Sequence, residues 1–144
     1  MSRVYEVSRH VAAPPADVWS VLSDVAGWPG WTPTVESVER LDAGPLGVGS
    51  RARVHQPKIP AAVWEVTELA EGERFTWVSR TPGVMTVGRH EVAADGGGSR
   101  VTLSIEQSGP LTGVAALFWG RLTQRYVETE AESLDRRVRG VATA

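Results

Sequence analysis

The chain has 144 residues, 42% hydrophobic and 22% charged, with a formal net charge of −2 and no cysteine. That length suits one domain with one core, the charge gives no footprint for a nucleic-acid partner, and the lack of thiols excludes disulfides, cysteinate metal sites and thiol catalysis. The N-terminus MSRVYEVSRHV has no signal-like apolar core, and the most apolar run, Val114 to Trp119, is far short of the roughly 20 residues of a membrane span, so a cytoplasmic protein without an integral membrane segment is expected.

Arg3 to Ala12 alternates, with Tyr5, Val7, Arg9 and Val11 on one face and Glu6, Ser8 and His10 on the other, which predicts a strand. Pro14-Pro15 ends it. A short helix follows over Ala16 to Leu22, with an early proline and Asp17 in its first turn. Gly27 to Pro33 is too rich in turn formers for regular structure beyond one tight helical turn. Strands are then predicted near Val35–Leu41, Ser50–Gln56, Ala61–Leu69, Arg74–Thr81, Val84–Ala93 and Arg100–Ser108. Their connections are too short for crossover helices, so the sheet is antiparallel.

Strand alternation places Ala52, Val54, Trp64, Val66, Phe75, Trp77, Val101, Leu103 and Ile105 on one face and mostly charged or hydroxyl side chains on the other. The apolar face needs a cover. Leu111 to Gly140 supplies it as a long helix, about 45 Å at 1.5 Å per residue. Its expected stripe runs through Leu111, Val114 or Ala115, Phe118, Leu122, Tyr126 or Val127, Ala131, Leu134 and Val138. Gly113, Ala115, Ala116 and Gly120 leave room in its first half, so a bend or break is expected near Gly120, with a cavity beneath Phe118 to Tyr126.

This order of elements, and the residues that punctuate it, resemble the START-like or SRPBCC superfamily, in its polyketide cyclase/dehydrase and lipid-transport-like branch. The likeness is carried by Ala13-Pro14 with Val18-Trp19 and Leu22-Ser23-Asp24, Trp28-Pro29 through Trp31-Thr32-Pro33, and Gly47-Val48-Gly49. It continues through Trp64-Glu65-Val66, Phe75-Thr76-Trp77, Pro82-Gly83 with His90, Gly98 to Leu103, and Ser108-Gly109-Pro110-Leu111. It spans residues 1–144 as one α+β domain. The resemblance implies a helix-grip fold: a curved antiparallel sheet of about seven strands wrapped on the C-terminal helix, with two short helices between the first two strands and an apolar-ligand cavity beneath the long helix.

Six tryptophans against two tyrosines and two phenylalanines suit a cavity wall as well as a core. Trp64, Phe75, Trp77, His90, Phe118, Leu122 and Tyr126 are the candidate ligand-binding residues. Plain core packing is the alternative for each aromatic, and a backbone-satisfied imidazole is the alternative for His90. Gly88 beside it marks a bulge or a close approach of backbone and ligand, with an ordinary strand glycine as the alternative. Arg9 shares the inward parity and must reach a carboxylate, a ligand anion or solvent, with Glu130 one possible partner.

Three readings of function follow. The first is binding of an apolar or aromatic, lipid- or polyketide-like small molecule without a cofactor. The second is a polyketide aromatase/cyclase or dehydratase, with His90 as acid or base and Tyr126 or Arg9 steadying an enolate oxygen. The third is an interaction protein whose cavity its own side chains fill. His10, His55 and His90 are too scattered for a metal site, the glycine-rich turns do not feed a helix as phosphate loops do, and no serine elbow exists. Arg136, Arg137 and Arg139 read as a solvated last turn. Oligomeric state has no signal in the sequence.

Overall fold

The computed structural model describes residues 2–143, with side chains described for 2–140. Strand β1 (Ser2–Val11) leads into helix α1 (Pro15–Leu22) and a 3₁₀ turn (Val25–Gly30). Strands β2 (Ser37–Arg40), β3 (Arg51–Gln56), β4 (Ile59–Ala70), β5 (Arg74–Thr81), β6 (Val84–Asp95) and β7 (Gly98–Ser108) follow, and helix α2 (Thr112–Thr143) ends the chain. The seven strands form one antiparallel sheet in the order β1-β7-β6-β5-β4-β3-β2. Each hairpin pairs sequence neighbours, and only β1 travels, crossing to β7 in an unbroken register from Ser2 opposite Ser108 to Val11 opposite Ser99. This is the helix-grip arrangement that the sequence implies, with α2 laid chiefly on β1, β7 and α1. No helix among the described residues is long and apolar enough to cross a membrane.

Local chemistry fixes the ends of the elements. Proline at the first position of α1 is pre-set in φ and has no amide hydrogen to leave unbonded. Strand β2 is shorter than predicted because Val35 is buried in the preceding turn, its amide bonded to the Thr32 carbonyl, and does not pair in the sheet. Strand β7 starts earlier, at Gly98, where the buried Ser99 hydroxyl donates to the Ala13 carbonyl at 2.6 Å and ties the strand to the entry of α1.

The core uses the inward faces in the expected parity. Val66, Phe75, Val101 and Leu103 are buried on the sheet, and Val127, Ala131, Leu134 and Val138 on α2. The expected break at Gly120 is not there: α2 is helical without interruption. Gly120 is small because a Cβ there would come within 3.1 Å of the Tyr5 hydroxyl, so it makes room for β1.

Arg9 finds a different carboxylate from the one expected. Its Nε donates to Asp135 Oδ2 at 2.8 Å, and Arg139 Nε donates to Oδ1 of the same group at 2.7 Å, so Glu130 is not its partner. Burial alone would raise the Asp135 pKa, but its two guanidinium partners outweigh that and hold it below the ordinary carboxylate value. Asp135→Asn is expected to destabilise the fold by about 1–3 kcal/mol, because both arginines then lose the charge they share. Because the native carboxyl titrates low, this contribution is present above pH 3.8 and is lost as pH falls through the depressed value. Urea unfolding at pH 7 and pH 3 checks both statements, with the two proteins converging in acid.

Candidate functional site

A cavity of about 410 Å³ lies between the first half of α2 and the end of the sheet that carries the β3–β4 and β5–β6 turns. Side-chain size decides its place. Where β4 and β5 face the helix here, they present Ala62 and Ser79, too small to reach across, and Ala61 borders the opening. One step further into the sheet, Trp64 forms the cavity wall. Behind it the Trp77 ring lies 5.5 Å from that of Trp64, and Phe75, Trp28 and His90 continue the aromatic stack into the core.

The candidate residues therefore divide. Trp64 and Tyr126 line the cavity. Phe75, Trp77 and His90 do face inward but are 0%, 4% and 8% exposed and belong to the core. The His90 ring is stacked on Phe75 at 4.1 Å, and its Nδ1 lies 3.3 Å from the Phe75 carbonyl oxygen, the satisfied-imidazole alternative. Burial pushes its pKa down to about 4, only partly countered by that hydrogen bond, so the ring is neutral at pH 7. Gly88 is a close approach of side chains and not a bulge: β6 pairs without interruption on both sides, and a Cβ would come within 3.0 Å of the Trp77 indole.

Phe118 and Leu122 are not on the cavity face. Phe118 is 69% exposed, and both residues line a shallow outer groove with Lys58, Arg121 and Arg125. Carried back from the buried Val127 in steps of four, the inward face of α2 passes through Thr123, Trp119 and Ala115. Leu111, Val114 and Tyr126 of the expected stripe line the cavity as well, so the stripe departs from the cavity face only at Phe118 and Leu122.

Two donors on α2 hold the β3–β4 turn over the cavity. The Tyr126 hydroxyl donates to the Pro57 carbonyl, and Trp119 Nε1 donates to the Lys58 carbonyl at 3.2 Å. Burial is the main cause that raises the Tyr126 pKa, with the nearby Glu36 charge adding to it. Arg9 is occupied at Asp135, so His90, Tyr126 and Arg9 do not assemble as a catalytic group around the cavity.

The carboxyl that the cavity holds was not among the candidate ligand-binding residues. Glu130 lines it one turn beyond Tyr126, with the Thr34 hydroxyl near enough to lower its pKa. Thr34 is itself buried and in contact with Thr32 at 2.8 Å between hydroxyl oxygens, while its amide donates to Thr32 Oγ1 at 3.3 Å. Desolvation drives the Glu130 pKa up to about 8, against the smaller effect of the Thr34 bond. The available signal was an acid on the inward face between Val127 and Leu134. Among the described residues no group of His, Asp or Glu converges to hold a metal ion.

No curated protein sequence matches the chain significantly. Among solved structures, the Zhui aromatase/cyclase from a Streptomyces species aligns with a TM-score of 0.80 at 19% identity, over 96% of this chain and 94% of its own. A START superfamily protein from Mycobacterium smegmatis aligns at 0.78 and 18% identity, over 96% of this chain and 98% of its own. A Thermus thermophilus protein gives 0.77 and 22%, covering 96% and 99%. At these identities the likeness shows the fold alone. The family model described as polyketide cyclase / dehydrase and lipid transport matches residues 2–139, and the chain belongs to that family.

Proposed function

We propose that the protein binds an apolar or aromatic small molecule in the cavity between sheet and α2, with no cofactor taking part. The observation that carries this reading is the cavity itself: about 410 Å³, walled by Trp64, Trp119, Ile105, Val54 and alanines, and open toward the two hairpin turns. Ligand sites are concave and mostly apolar, and this volume lies within their usual range. It speaks against side chains filling the space. A cyclase or dehydratase reaction would need convergent polar groups, and the expected ones are committed elsewhere, to Pro57, Phe75 and Asp135.

The test is a thermal-shift and fluorescence screen of apolar and aromatic small molecules against the wild type and Ala115→Trp, whose indole would occupy the cavity. Binders at about one hundred times their Kd should stabilise the wild type by about 2.7 kcal/mol and quench tryptophan fluorescence. The variant should lose both responses while keeping its fold. A screen without binders, or binders indifferent to Ala115→Trp, would overturn the proposal.

A further inference from the structure

We propose that Glu130 is the polar anchor of this cavity and that the cavity selects apolar molecules carrying one basic nitrogen, seated with that nitrogen against the Glu130 carboxylate. This rests on the cavity being a ligand site and names the class of ligand it takes.

The argument is one of missing charge. Of the residues that line the cavity, Glu130 and Tyr126 alone are ionisable, and no lysine, arginine or histidine is among them. Tyr126 donates its proton to Pro57. The other polar groups in the wall, including Gln56, Gln107, Ser79, Thr86 and Thr123, are neutral amides and hydroxyls. Glu130 thus stands in a largely apolar wall that carries no cation, with the Thr34 hydroxyl close by. Glu36, and Arg125 from the outer side of α2, act on Tyr126.

Such a carboxyl has two ways to avoid an unpaired buried charge: it keeps a proton, or it meets a cation. Without a ligand it keeps the proton at pH 7, because desolvation in the cavity wall raises its pKa. The threonine hydroxyls behind it can turn to serve the charged form. The Thr34 amide donates to Thr32 Oγ1, the two threonine hydroxyls share one hydrogen bond in which either can be the donor, and the Thr34 hydroxyl lowers the Glu130 pKa as a donor to the charged form does. A ligand ammonium arriving from water binds the carboxylate, and the carboxyl proton goes to the buffer. Nothing else is exchanged. A neutral alcohol gains a hydrogen bond only. A carboxylate, as on a fatty acid, meets no cation inside and has to hold a second acid near Glu130 or stop at the mouth, where Lys58 lies outside the cavity wall.

The test uses three molecules with the same apolar body: phenylhexylamine, phenylhexanol and phenylhexanoate, titrated calorimetrically at pH 7 into the full chain. The amine is expected to bind about tenfold or more tightly than the alcohol, and the carboxylate about tenfold or more weakly. Titrations in buffers of different ionisation enthalpy should show proton release with the amine alone. Glu130→Gln is near-isosteric and should lower amine affinity about tenfold while leaving the alcohol within about threefold. Thr34→Val, which removes the donor behind the carboxylate, should weaken the amine in the same direction. An alcohol that binds as tightly as the amine, or an amine indifferent to both substitutions, overturns the anchor while leaving the cavity reading intact. If none of the three binds the wild type, the cavity reading falls and this inference with it.

Discussion

Trp28→Ala is expected to cost about 3–5 kcal/mol of folding stability, the largest single-residue loss available in this chain. Trp28 projects from the 3₁₀ turn and is 3% exposed. Its ring centroid lies 5.3 Å from that of Trp77, 5.4 Å from His90, 6.1 Å from Trp31 and 6.4 Å from Phe75. It is thus the member of the aromatic cluster that fixes the α1–β2 connection to the sheet. Its Nε1 donates to the Leu22 carbonyl at 3.0 Å, which satisfies the end of α1 as well. Alanine would leave a cavity among rings too rigid to collapse into it. Trp28→Phe, which keeps most of the buried area and loses the donor, should cost about 1–2 kcal/mol. Urea unfolding separates the two variants. A loss below about 1.5 kcal/mol for alanine would mean that the cluster relaxes and that its rings are not mutually supporting. Because none of these rings lines the cavity, a folded Trp28→Phe protein should bind apolar molecules as the wild type does.

The strands were legible because one face of the sheet is buried and the other wet, a condition that forces alternation. Strand β5 has the predicted bounds, Arg74–Thr81. Where the pattern failed, another bonding arrangement had replaced the ladder, as at Val35, whose burial comes from a turn. Parity also assigned Trp64, Phe75, Trp77 and His90 to the same face correctly. It carried no information on distance along the strand from the open end of the sheet, and that distance separates the cavity wall from the core. Small residues at Ala62 and Ser79 set the dividing line, and small residues have no pattern of their own.

Helix α2 shows the same limit. In its second half Ala131, Leu134 and Val138 contact protein, and the stripe is right. In its first half the inward positions contact empty space, and Thr123 and Glu130 stand where a packed helix would carry apolar side chains. Leu117 and Phe118 are 80% and 69% exposed, so hydrophobicity there is no guide to direction. Residues that serve a cavity need not follow the rule that locates residues serving a core. Glu130 was visible as the exception, an acid on the inward side of an otherwise apolar stripe.

The ligand-free protein is expected to be most stable between about pH 4.5 and 6.5, with His90 limiting it in acid and Glu130 in base. His90 titrates near 4 in the folded chain against an ordinary 6.5. The folded state therefore keeps the ring neutral while the unfolded state takes a proton, and stability present above pH 6.5 is lost as pH falls toward 4. Glu130 is the mirror case, at about 8 in the folded chain against an ordinary 4.5. Its contribution is complete below pH 4.5 and is lost as pH rises through 8, because the unfolded chain ionises there and the folded chain does so at a cost. Glu130→Gln should flatten this alkaline limb, gaining on the order of 2–3 kcal/mol over the wild type at pH 8.5 and nothing near pH 4.5, with water in the cavity keeping the gain below the full linkage value. Urea unfolding of both proteins at pH 4.5, 5.5, 7 and 8.5 measures it. A wild-type profile that stays level from pH 5.5 to 8.5, or a variant that keeps the same alkaline fall, would place the Glu130 carboxyl in contact with bulk water. The same carboxyl would then have no need of a cation, and selection for a basic nitrogen would lose its physical cause. A pronounced alkaline limb means that the ligand-free fold carries the desolvation cost of a charge that a bound ammonium would offset.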